Sequence, residues 1–76
     1  KELTANDFNW LIPNPAKEIK CSARVRYNMR EQPAAAYILD NGNVKVVFDE
    51  PQRAITKGQA VVLYDGETLL GGGTII

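Results

Sequence analysis

The amino-acid sequence predicts an all-β fold, a small antiparallel β-barrel of five or six strands. Three observations carry that expectation. From Glu18 to Asn28 the side chains alternate without a break: Ile19, Cys21, Ala23, Val25 and Tyr27 against Lys20, Ser22, Arg24, Arg26 and Asn28. Period two over such a stretch describes a strand with one buried face, whereas a helix would mix the two sets. Turn signals at Asn41-Gly42, Lys57-Gly58 and Asp65-Gly66 separate the later apolar runs. No segment shows a convincing helical period, and closure into a barrel would let so small a sheet protect its edges.

Taken in order, Phe8, Trp10 and Ile12 alternate before Pro13 and Pro15 intervene. Residues 1–17 therefore read as a lead-in segment and connector, and residues 18–76 as the barrel body of a single domain spanning 1–76. After the strand at 18–28, Ala35 to Leu39 and Val44 to Phe48 flank Asp40-Asn41-Gly42-Asn43. Asn-Gly tolerates positive φ at both central positions of a hairpin turn. Pro33 and the turn immediately after leave the three alanines too little room for a helix. Pro51 ends the next strand, because proline cannot donate to a ladder. Gln59 to Tyr64 is an apolar run, consistent with a strand covered on both faces. Leu69 to Ile76 contains Gly71-Gly72-Gly73, which implies a bulge, a sharp barrel bend or a close backbone approach. It is not a phosphate cradle, since no helix N-terminus follows it.

The composition narrows the chemistry. Nine basic and nine acidic side chains cancel, so the net charge points to no partner. There is no histidine, the commonest general base and metal ligand, and one cysteine cannot build a metal site alone. No Walker-type loop or G-x-G-x-x-G fingerprint is present. No catalytic, cofactor-binding or metal-ligating residue is therefore expected. A lone cysteine without a disulfide fits a reducing compartment, and neither an apolar signal region nor a membrane-spanning stretch is read, so the expectation is a cytoplasmic protein without a membrane partner.

The stretch from Val47-Phe48-Asp49-Glu50-Pro51-Gln52-Arg53-Ala54 through Lys57-Gly58-Gln59 and Tyr64-Asp65-Gly66 to Leu70-Gly71-Gly72-Gly73-Thr74-Ile75 closely resembles the C-terminal end of bacterial tRNA-specific 2-thiouridylases. Asn9-Trp10 and Arg24-Val25-Arg26-Tyr27 resemble earlier pieces of the same domain, in the same order. The chain departs from the family where Lys57 replaces a usual proline before Gly58-Gln59. It departs again where Asn28-Met29 replaces Arg-Gln, with Arg30 displaced downstream. The resemblance implies a C-terminal β-barrel similar to the second domain of the elongation factor that carries aminoacyl-tRNA. It also implies a parent enzyme, a tRNA-uridine 2-sulfurtransferase, that activates the wobble uridine with ATP and receives sulfur through a cysteine persulfide. Expected partners are tRNA, the N-terminal and central domains of the parent chain, and a sulfur-donor protein. The regions holding ATP and the catalytic cysteines are absent from this sequence, so this domain alone is expected to be inactive and to carry no cofactor.

Between Lys17 and Arg30 five basic residues face a single acid, Glu18. Lys20, Arg24 and Arg26 share the polar side of one strand, where every second residue advances about 6.6–7 Å, a row on which backbone phosphates could be held. Lys20, Arg24, Arg26, Arg30 and Arg53 are the candidate RNA-binding residues; the alternative is a solvated strand face. Arg53 could instead pair with Asp49 or Glu50 to fix a turn, and Cys21 reads as a small core residue. Trp10 and Tyr64 could stack bases, but Trp10 is better suited to plugging a barrel end or packing against the other domains of the parent. The functional reading is a tRNA-positioning domain. The alternatives are a brace that stabilises the parent with little RNA contact, or an unrelated peptide-binding or ligand-binding barrel.

Overall fold

In the computed structural model, which describes residues 2–25, 30–52 and 55–76, six antiparallel strands close into a barrel in the order β1-β4-β3-β2-β5-β6. They are β1 (Glu2–Trp10), β2 (Glu18–Arg24), β3 (Gln32–Ile38), β4 (Val44–Phe48), β5 (Ala60–Asp65) and β6 (Thr68–Ile75). The expectation of a barrel with five or six strands is met. The division at residue 17 is not, because β1 pairs with both β4 and β6 and so closes the barrel. Only residues 11–17 act as a connector.

A phase change inside β1 hides its strand period in the sequence. Leu3 and Ala5 point inward, and uninterrupted alternation would send Asp7 and Asn9 inward after them. Instead the register with β6 slips between Asn6 and Asn9, with one extra residue on β1. Asp7 takes a positive φ of 50° at this bulge, a region more accessible to Asp and Asn than to most side chains. The slip leaves Asp7 and Asn9 exposed and turns Phe8 and Trp10 toward the core.

Gly71-Gly72-Gly73 is the counterpart of that bulge. A Cβ on Gly71 would collide with the Asn9 carbonyl oxygen and lie 3.1 Å from the Phe8 ring. One on Gly73 would lie 2.7 Å from both the Asn6 carbonyl oxygen and the Phe8 ring. Of the three expectations for the glycines, close approach therefore applies: Phe8 occupies the space that two side chains would have filled. The Phe8 and Trp10 rings, with centroids 4.6 Å apart, then cover that part of the core. A bulge is present too, at Leu70, between the Leu63–Gly71 and Tyr64–Leu69 pairs.

The rest of the core follows from small residues facing large ones. Ala34 pairs with Phe48 and Ala36 with Val46, so alanines on β3 leave room for β4's side chains. Val44, Val46, Phe48, Val61 and Leu63 are fully buried. Pro33 lies within β3 without breaking it. Its carbonyl accepts from Asp49 N at 3.1 Å, just past the end of β4. Proline has no N–H to return to Asp49, and the β3–β4 ladder ends at this pair.

The turns refine the sequence reading. The Asn41-Gly42 hairpin is a three-residue loop: Leu39 N donates to Asn43 O, and Gly42 N donates to Leu39 O. Only Gly42 has positive φ (88°), so the two-residue turn with both central residues left-handed is not used. Asn41 instead accepts from Asn43 N through Oδ1 at 3.0 Å. Between Asp65 and Thr68, Gly66 has φ 61° at the first central position, as a type II′ hairpin requires. At Thr56-Lys57-Gly58-Gln59 the glycine, with φ 91°, occupies the third position and Gln59 N donates to Thr56 O. That is a type II pattern, whose second position suits proline; Lys57 there keeps the turn but not the prefixed φ.

Candidate nucleic-acid interface

On β2 the expected alternation holds: Ala23 and the following Val25 are buried, Cys21 and Ile19 pack against the core, and Lys20 and Arg24 face outward. Lys20 is exposed and Arg24 half-buried. They are four positions apart along the strand, or about 13 Å. Arg30 is exposed beyond the end of the strand, and its carbonyl accepts from Gln32 Nε2 at 3.3 Å. Arg26 and Arg53 lie outside the described residues, as does Tyr27. The structure thus aligns Lys20 with Arg24, leaves Arg30 in the following loop, and bears on neither of the other two.

β2 also pairs with β5, which the sequence did not reveal. Ser22 lies opposite Tyr64 and Arg24 opposite Val62. Arg24 Nη2 consequently donates to Tyr64 Oη at 2.7 Å, and the guanidinium carbon sits 5.4 Å from the ring centroid. Tyr64 is half-buried with its hydroxyl engaged, so its role is tied to Arg24 rather than to an isolated stacking surface. β5 is not covered on both faces as its apolar run implied. Ala60 is exposed, and Val62 and Tyr64 are half-buried, because a closed single sheet has only one interior. Val62 is apolar yet outward, flanked by Arg24 and by Gly72, which has no side chain.

A cleft of about 300 Å³ opens where β3 begins and β4 ends, lined by Gln32, Pro33, Asp49, Glu50 and Gln52. Its two carboxylates disfavour a phosphate. Gln52 Nε2 already donates to Glu50 O at 3.0 Å, so the Asp49-Glu50-Pro51-Gln52 motif serves to turn the chain. Among the described residues no group of three or more His, Cys, Asp or Glu comes together to hold a metal ion.

Burial pushes the Cys21 thiol up from 9.0 to about 11, helped by the nearby charge of Asp65. At pH 8 its thiolate fraction should be about 100-fold below that of an unperturbed thiol, so alkylation of the native chain should be slower by about that factor than in denaturant. Because the folded pKa is the higher one, stability from the protonated thiol is complete below about pH 9 and is lost as the pH rises toward about 11. Equal labelling rates in native and denatured chain would show that Cys21 is not a core residue.

A family profile described as the aminomethyltransferase β-barrel domain matches residues 1–75. The chain belongs to that family. This aminomethyltransferase-type barrel is 52% identical over 75 residues to the tRNA-specific 2-thiouridylase MnmA of Francisella philomiragia, covering 97% of this chain and 21% of the relative. It is 49% identical to the protein of the same name from Acetivibrio thermocellus and 50% identical to that from Halothermothrix orenii, each match covering 99% of this chain and 21% of the relative. The barrel domain therefore spans about a fifth of the length of these relatives and corresponds to their C-terminal part.

Proposed function

We propose that this barrel is the tRNA-positioning C-terminal domain of an ATP-dependent enzyme that thiolates the wobble uridine of tRNA at C2. The identity of about half the residues to proteins named tRNA-specific 2-thiouridylases supports the parent activity. The observation that carries the role of the barrel itself is the outward row on β2, where Lys20 and Arg24 stand on one face with no acid between them. In the parent, ATP and the sulfur-transferring cysteines belong to the preceding domains, and the barrel contributes grip on the tRNA backbone. Zero net charge favours one competing reading, a brace that stabilises the parent without touching RNA.

Binding of tRNA by the full-length parent, with and without the residues corresponding to this chain, distinguishes the two across a salt series. A gripping barrel predicts that the truncated but folded protein loses affinity and shows a shallower dependence of log K on log salt concentration, since fewer counterions are released. Intact binding with a lowered melting temperature would make the barrel a brace and the basic row a solvated face.

A further inference from the structure

We infer that Tyr64 is a positioning residue for tRNA binding, which it serves by holding the Arg24 guanidinium in place on the outer face of the barrel; this rests on the tRNA-contacting reading above. Forty positions separate the two residues, and only the β2–β5 ladder brings them together. The Tyr64 hydroxyl accepts from Arg24 Nη2 at 2.7 Å. A guanidinium has five N–H donors in a planar fork. Every Asp and Glu of the chain lies within the described residues, and the ion pair found among those residues is Lys45–Glu2 at 3.7 Å, remote from Arg24. Tyr64 thus occupies one donor, and no carboxylate competes for the others.

A free arginine side chain loses rotamer freedom when it grips a ligand, whereas a restrained one has already done so on folding. The tyrosine restrains Arg24 without neutralising it, as a carboxylate would. That combination suits a planar, bidentate contact with a phosphate oxygen pair. It also distinguishes Arg24 from Lys20, which is exposed and makes no such contact.

The test uses the full-length parent enzyme and, as probe, unfractionated tRNA purified from cells lacking that enzyme. Tyr64→Phe keeps the ring and removes the hydroxyl. It should raise the KM for tRNA about three- to ten-fold, with kcat within about two-fold and the melting temperature unchanged. Arg24→Gln should raise KM roughly 10- to 100-fold and reduce the salt slope by about 0.7–0.9. The double variant should match Arg24→Gln alone, because the hydroxyl acts through the arginine. If Arg24→Gln weakens binding while Tyr64→Phe does nothing, or if the two effects multiply, the role of Tyr64 is overturned and the tRNA contact survives. If Arg24→Gln leaves both KM and salt slope unchanged, the contact itself fails and this role with it.

Discussion

Gly71→Ala should destabilise the chain by about 3 kcal/mol, although it adds a single methyl group at a position with ordinary backbone angles. The new Cβ would meet the Asn9 carbonyl oxygen, a backbone atom in the β1–β6 ladder that closes the barrel. Relief requires β1 to move away from β6, and with it Phe8 and Trp10. For 76 residues the whole folding free energy is of order 4–11 kcal/mol. A loss of about 3 kcal/mol would lower the melting temperature by about 12–24 °C. Thermal unfolding of the two chains, followed by near-ultraviolet circular dichroism, measures it. Gly73→Ala adds a second element, because part of its clash is with the Phe8 ring. Phe8→Ala should offset some of the Gly73→Ala penalty but little of that at Gly71. Melting of Gly71→Ala within a few degrees of the wild type would show that β1 does not approach β6 as described.

Reversing two charges on β2 should have the largest effect on binding. Lys20→Glu with Arg24→Glu in the full-length parent should weaken tRNA binding by about 100-fold or more at physiological salt. The slope of log K against log salt concentration should fall by about 1.4–1.8, or 0.7–0.9 for each phosphate no longer neutralised. The matched control is Lys45→Glu with Lys57→Glu, which changes net charge equally on β4 and in the 56–59 turn, away from the β2 row. Equal weakening in the two variants would indicate a general charge effect and remove the row as a specific tRNA-binding feature. Unchanged binding in both would leave the brace reading.

Local patterns made much of the barrel legible. β2 declares itself by alternation and β4 by the turn before it, and the glycine turns at 42, 58 and 66 all carry positive φ. The family motif could be read as a string of residues, since it requires no knowledge of contacts. The Arg24–Tyr64 pair could not be read, because neither side chain carries a mark of the other and their strands are not consecutive. Residue type alone leaves Tyr64 open to a stacking role, whereas in the fold its hydroxyl accepts from Arg24. Asn41-Gly42 is compatible with loops of two or three residues, and the hydrogen bond from Leu39 N to Asn43 O selects the longer one.

The all-β class, most strand positions, the outward placement of Lys20 and Arg24, and the likeness to the 2-thiouridylase C-terminal domain are legible in the residues alone. All of these rest on side-chain period, turn residues and residue order, which are properties of neighbours along the chain. Long-range pairing is what makes β1 a stave of the barrel, has Gly71 and Gly73 make way for Phe8, and brings Tyr64 to Arg24. Each depends on which strands lie side by side and in what register, and that choice is made by burial of a shared core over long sequence separations rather than by any local preference.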